Sequence, residues 1–124
     1  MTYKPDGYTD LAPYLIVADP DACLDFAVAA FGAERLRRIT RPDGTVMHAE
    51  ARIGDTVLMV GGSDGRSAAH LHLYLADPDA AFDGALAAGG TAVQAVADQD
   101  DGDRRGGVRA PCGTTWWLAC QRTP

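Results

Sequence analysis

Lysine occurs once, at Lys4, and glutamate twice, at Glu34 and Glu50, in a chain of 124 residues. Arginine and aspartate therefore carry nearly all the charge, and 17 acidic against 11 basic side chains leave a formal net charge of −6. A chain of this sign lacks the basic footprint that a phosphate backbone requires, so no nucleic-acid partner is expected. Long apolar runs are also missing. The longest fall far short of the ~20 residues that cross a bilayer as a helix, and the polar start, Met1 to Asp10, has no apolar signal-peptide region. No membrane partner is expected, and the expected location is cytoplasmic. Cysteine is scarce and odd in number (Cys23, Cys112, Cys120), with no CxxC spacing. All three are expected as buried thiols without a nucleophilic role.

What remains has the makeup of a single soluble domain, residues 1–124. Apolar residues make up 47% and charged residues 23%, ordinary values for a globular chain. A chain of this length buries about two-thirds of its unfolded surface without help from a metal or disulfide. The sequence also repeats itself. Residues 15–22, Leu-Ile-Val-Ala-Asp-Pro-Asp-Ala, return 58 residues later as Leu-Tyr-Leu-Ala-Asp-Pro-Asp-Ala. Each copy leads into an alanine-rich stretch with one phenylalanine (Phe26, Phe82) that closes on glycine (Gly32, Gly89-Gly90). Further on, the stretch Gly54 to Leu58 answers Gly113 to Trp117 at an offset of 59.

Each copy reads as a strand, a helix and further strands. The apolar run Leu11 to Ala18, bounded by Asp-Pro, predicts a strand. Asp19 is placed to cap a helix with Pro20 in its first turn. Ala22 to Phe31 is helical in composition, and Gly32 ends it. Strands follow at 35–41, 46–53 and 56–60, separated by the turns Pro42-Asp43-Gly44 and Gly54-Asp55. A Gly/Ser-rich link covers about 61–69. The second copy then predicts a strand at 70–76, a helix at 80–88, a strand at 91–96 and strands near Val108 and at 115–120. Asp98 to Gly107 reads as a polar loop, with a lid over a cavity as its functional alternative. The expected fold class is α+β: two tandem βαβββ modules, about 8–61 and 70–121, whose curved mixed sheets surround a cavity and carry helices on their outer faces.

Alternation along strands sorts side chains by face. Leu71, Leu73 and Leu75 form an aliphatic set suited to packing under a helix, and His70, His72 and Tyr74 form the opposite set. The first strand divides the same way, with Tyr14 among the residues turned to the concave side. In the strand 46–53, His48, Glu50 and Arg52 oppose Met47, Ala49, Ala51 and Ile53. In the last strand, Trp116 is read as core and Trp117 as wall, and Leu58 is placed with Trp117 by the offset of 59. The candidate ligand-binding wall is therefore Tyr14, His48, Glu50, Arg52, Leu58, His70, His72, Tyr74, Arg109 and Trp117. Its aromatic rings suit a planar ligand, and its arginines suit an anionic group. A solvated charged face is the competing reading of His48, Glu50 and Arg52.

Several stretches together resemble the vicinal oxygen chelate superfamily, which includes glyoxalases, bleomycin resistance proteins and dioxygenases, and its PhnB-like branch in particular. They are Pro13 to Val17, Ala30-Phe31-Gly32-Ala33, Pro42-Asp43-Gly44, His48-Ala49-Glu50 with Ile53-Gly54-Asp55, Asp77 to Ala80, and Asp98-Gln99 with Gly102-Asp103-Arg104. The resemblance implies a homodimer with two equivalent cavities built from both chains. It also implies four metal-ligand positions, which map to Ala12, Leu58, His70 and Trp117. Only His70 among them binds metals, against the roughly three protein ligands of a catalytic zinc or iron site. No metal, no other cofactor and no catalytic residue is expected. The leading expectation is a metal-free small-molecule-binding protein that resembles bleomycin-resistance-type drug-sequestering proteins, with a planar antibiotic as one candidate ligand. The alternative is a glyoxalase- or dioxygenase-like enzyme, with a shifted metal site or with acid–base chemistry at His48 and Glu50 or at His70 and His72.

Overall fold

The computed structural model describes residues 3–64 and 68–122. In chain order its elements are β1 (Tyr14–Val17), α1 (Pro20–Phe31), β2 (Glu34–Thr40), β3 (Val46–Ile53), β4 (Thr56–Gly62), β5 (His70–Tyr74), α2 (Pro78–Ala87), β6 (Thr91–Asp98), β7 (Asp103–Arg109) and β8 (Thr115–Gln121). They build two four-stranded sheets with matching orders, β1-β4-β3-β2 and β5-β8-β7-β6. The first pair of each sheet is parallel and the others antiparallel. The α+β fold of two βαβββ modules expected from the repeat is the fold observed.

The repeated Asp-Pro-Asp starts both helices by one device. Asp19 accepts a hydrogen bond from the Ala22 amide at 3.1 Å, and Asp77 accepts one from the Ala80 amide at 3.1 Å. Pro20 and Pro78 follow, where a missing N–H costs nothing. Gly32 ends α1 in the left-handed conformation (φ 68°), which a side chain would disfavour. Each helix lies on one face of its own sheet and also packs against the other helix. One continuous core results. It joins Leu15, Val17, Leu24, Ala49 and Val60 of the first module to Ala85, Val108, Trp116 and Leu118 of the second. The opposite, open face of each sheet points away from this core.

Two expectations need correction. Asp98 to Gly107 is no loop: β6 runs through Asp98 and β7 begins at Asp103, leaving only a short turn. The charges are neutralised in place, since Arg104 pairs with Asp79 (2.8 Å) and Asp98 (3.0 Å) and Arg105 pairs with Asp101 and Asp103 (both 2.8 Å). A mobile lid is thereby overturned. Of the expected link 61–69, Gly61 and Gly62 complete β4, and positions 65–67 lie outside the described residues. Among the described residues no helix is long and apolar enough to cross a membrane.

Candidate functional site

The open face of the first sheet gathers Tyr14, His48 and Glu50 as alternation predicts. Tyr14 pairs in register with Met59, Met59 with Glu50, and Gly61 with His48. Gly61 matters here, because a Cβ on it would come within 2.8 Å of the Tyr14 hydroxyl. His48 bridges the other two: its Nε2 lies 2.7 Å from Glu50 and its Nδ1 lies 3.4 Å from the Tyr14 hydroxyl. Tyr8, from the segment before β1, donates its hydroxyl to the other Glu50 oxygen. Glu50 is only 4% exposed, so a solvated charged face does not describe it. Arg52 turns to the rim, where it pairs with Glu34 at 3.0 Å and reaches the Gly7 carbonyl at 3.3 Å.

Burial acts most strongly on the Glu50 carboxyl and pushes its pKa up, but hydrogen bonds from His48 and Tyr8 outweigh it and hold the group below the ordinary carboxylate range. A carboxylate more acidic in the folded state adds stability above its unfolded pKa. That stability is lost as pH falls through the folded value. The wild type is therefore expected to lose more unfolding free energy than Glu50→Gln between neutral pH and pH of about 3. Urea titrations at both pH values check this, and equal losses would show that the network contributes nothing. At neutral pH the same substitution is expected to cost about 1.5–3 kcal/mol, the value of a hydrogen bond to a charged group.

The open face of the second sheet carries His70, His72, Tyr74 and Trp117. His72 pairs in register with Trp117, and Trp117 with Gly107. The Trp117 ring lies across Gly107, where an added Cβ would come within 2.6 Å of it. Trp117 Nε1 donates to His70 Nδ1 at 3.1 Å, and the rings are nearly parallel, 10° apart with centroids at 6.2 Å. Next to this flat pair, Arg105 donates to His72 Nε2 at 3.2 Å, and Tyr74 donates to Asp103 at 2.8 Å. That hydrogen bond to the carboxylate, with a little desolvation, pushes the Tyr74 pKa up. Arg109 lies exposed at the edge of the same face, in register with Thr115.

Leu58 does not belong to this wall. It pairs with Ala51, faces the helix side and is 2% exposed. It borders instead a hollow of about 300 Å³ between the modules, with Pro13, Ile53, Leu71, Leu73 and Trp116. The residue equivalent to Trp117 is Met59, since Tyr14 pairs with Met59 as His72 pairs with Trp117. The ligand positions inferred from the repeat thus become Ala12, Met59, His70 and Trp117. This set offers one imidazole, whose Nδ1 is already engaged by Trp117, and does not fit zinc or iron. Among the described residues, no three of His, Cys, Asp and Glu stand together so as to hold a metal ion.

Reading the sequence alone misses Tyr8, Met59, Asp101, Asp103 and Arg105. Tyr8 lies outside every strand, so no alternation points to it. Asp103 and Arg105 sit in the stretch that reads as loop.

A profile of the Glyoxalase/Bleomycin resistance protein/Dioxygenase superfamily matches residues 8–118. An uncharacterised protein of Mycobacterium tuberculosis is 42% identical over 122 residues, covering 87% of this chain and 72% of that protein. Among solved structures, TioX from Micromonospora sp. ML1 is 27% identical with a TM-score of 0.77, covering 91% of this chain and 98% of that one. The PhnB protein from Bacillus cereus, described as a putative 3-demethylubiquinone-9 3-methyltransferase, shares the fold at 15% identity and a TM-score of 0.72, covering 90% and 99%.

Proposed function

Since the chain belongs to the glyoxalase/bleomycin resistance protein/dioxygenase superfamily, we propose that it is a metal-free protein that binds a planar, aromatic small molecule. The observation that carries this reading is the flat His70–Trp117 pair on an open sheet face, its tryptophan ring laid over Gly107. Such a platform stacks on a ring and gains from burying it. Beside it, the exposed Arg109 is suited to an acidic substituent. Binding here is stacking, burial and a few polar contacts, with no bond made or broken.

The cavity is completed between two copies of the chain. Tyr14 is 51% exposed, Ile16 49% and Tyr74 63%; a monomer seldom leaves such a set of large apolar groups open unless they meet a partner or ligand. In the proposed homodimer, the first module's open face from one copy closes over the second module's open face from the other.

Tryptophan fluorescence titration against a panel of planar antibiotics and other fused aromatics tests the binding. A saturable change in emission, lost in Trp117→Phe, is expected. No response to any planar compound would sink the reading. Elemental analysis after exposure to Zn²⁺, Fe²⁺, Ni²⁺ and Mn²⁺ and dialysis should find no stoichiometric metal, and tight retention would replace the metal-free reading with a shifted site. Sedimentation equilibrium should return a dimer.

A further inference from the structure

Cys23 and Cys112 lie far apart in the chain, yet their Sγ atoms are 3.3 Å apart. Cys23 is buried on α1 in the first module, while Cys112 is partly exposed in the turn joining β7 to β8 in the second. The contact therefore crosses from one module to the other. Cys120, also partly exposed, contacts only the Gln121 carbonyl (3.4 Å) among the hydrogen-bond partners described.

The two thiols have unlike surroundings. Hydrogen bonding from Cys23 and then from the Thr114 amide and hydroxyl, against partial burial, brings the Cys112 thiol down to about 6. The shared hydrogen bond and burial push the Cys23 thiol up. One sulfur thus belongs to a partly exposed residue and is readily ionised, while its neighbour is buried, protonated and in contact. That is the division between an attacking and a resolving thiol.

We propose that Cys112 and Cys23 form a thiol redox site, at which a hydroperoxide oxidises the pair to a disulfide that ties the two modules together. The Cys112 thiolate attacks one peroxide oxygen. The O–O bond breaks, the distal oxygen leaves as hydroxide or alkoxide, and Cys112 becomes a sulfenic acid. Cys23 then attacks the Cys112 sulfur, the S–O bond breaks, and the departing hydroxide takes the Cys23 proton to leave as water. The two sulfurs together lose two electrons, and the peroxide gains them. A low-molecular-weight thiol reverses the step by exchange.

The test treats the full chain with one equivalent of hydrogen peroxide, then maps it by mass spectrometry without reduction. The intact mass should fall by two hydrogens, a peptide linking Cys23 to Cys112 should appear, and Cys120 should remain open to alkylation. Dithiothreitol should restore the starting mass, and the unfolding midpoint should be higher in the oxidised form. In Cys23→Ala, the sulfenic acid should persist at Cys112 and be captured by dimedone. Oxidation of Cys120 in preference to Cys112, a linkage through Cys120, or an unchanged mass at peroxide levels that oxidise free glutathione would each overturn the proposal. The wild-type arm needs no substitution, so it decides the matter even where a variant folds poorly.

Discussion

Trp116→Ala is expected to lower the free energy of unfolding by about 3–5 kcal/mol, whereas Trp117→Ala, one position along, costs well under half of that. Trp116 is 4% exposed, and its ring meets Phe31 of α1 with centroids 4.8 Å apart. Its removal opens a cavity where the second sheet touches the first module's helix, and neighbours on two elements cannot both collapse into it. Trp117 stands on the open face, where water fills the space a truncated side chain leaves. The binding readout reverses the order. Without Trp117 the platform is gone, and ligand affinity should fall by about tenfold or more, the equivalent of roughly 1.4 kcal/mol of lost stacking and burial. Urea unfolding followed by circular dichroism, set beside ligand titration, separates the two variants. Equal stability losses would mean that Trp116 and Trp117 do not face opposite sides of β8.

Gly107→Val should remove ligand binding as fully as losing Trp117 does, although position 107 need not touch the ligand. The first added carbon would stand 2.6 Å from the Trp117 ring, far inside contact distance. The ring lies flat against position 107 and is hydrogen-bonded to His70, so it must shift off the sheet and loosen that bond. Overpacking of this kind costs about 1–3 kcal/mol in stability. The specific signature is spectroscopic: emission shifts toward the red as Trp117 enters water, while Trp116 continues to report an intact core. Gly107→Ala should show a weaker version of both effects. An unshifted spectrum with undiminished binding would show that the ring rests elsewhere.

The two open faces are legible in the sequence to different degrees, for a physical reason. β5 reads His-Leu-His-Leu-Tyr, so polar and apolar groups alternate and mark their own faces. β4 begins Thr-Val-Leu-Met-Val, with no alternation to fix its phase. Only the match of Gly54 to Gly113 places Leu58, and this match slips by one residue. Gly54 is the first of two turn residues between the paired Ile53 and Thr56, and its φ of 59° suits that place. Gly113 ends a longer turn, closed by the Ala110 amide bonding to the Thr114 carbonyl at 2.8 Å. A shift of one residue turns a strand over, which carries Leu58 from wall to core. The β6–β7 turn reads as a loop because aspartate, arginine and glycine dominate a strand whose charges find partners only once folded. The helices are plain, since Asp-Pro-Asp specifies a cap locally and needs no tertiary partner. The meeting of Cys23 and Cys112 depends wholly on how the modules dock, which no local pattern encodes.

The single core that runs between the modules also governs how the chain comes apart. The repeat writes two similar halves, but neither half keeps a core of its own. Leu24 and Phe31 of the first share their burial with Trp116 and Leu118 of the second. A fragment ending after β4 would put much of that surface into water, and so would one starting at β5. Heat or denaturant should therefore take the whole chain through one cooperative transition, and the halves should regain structure only when mixed.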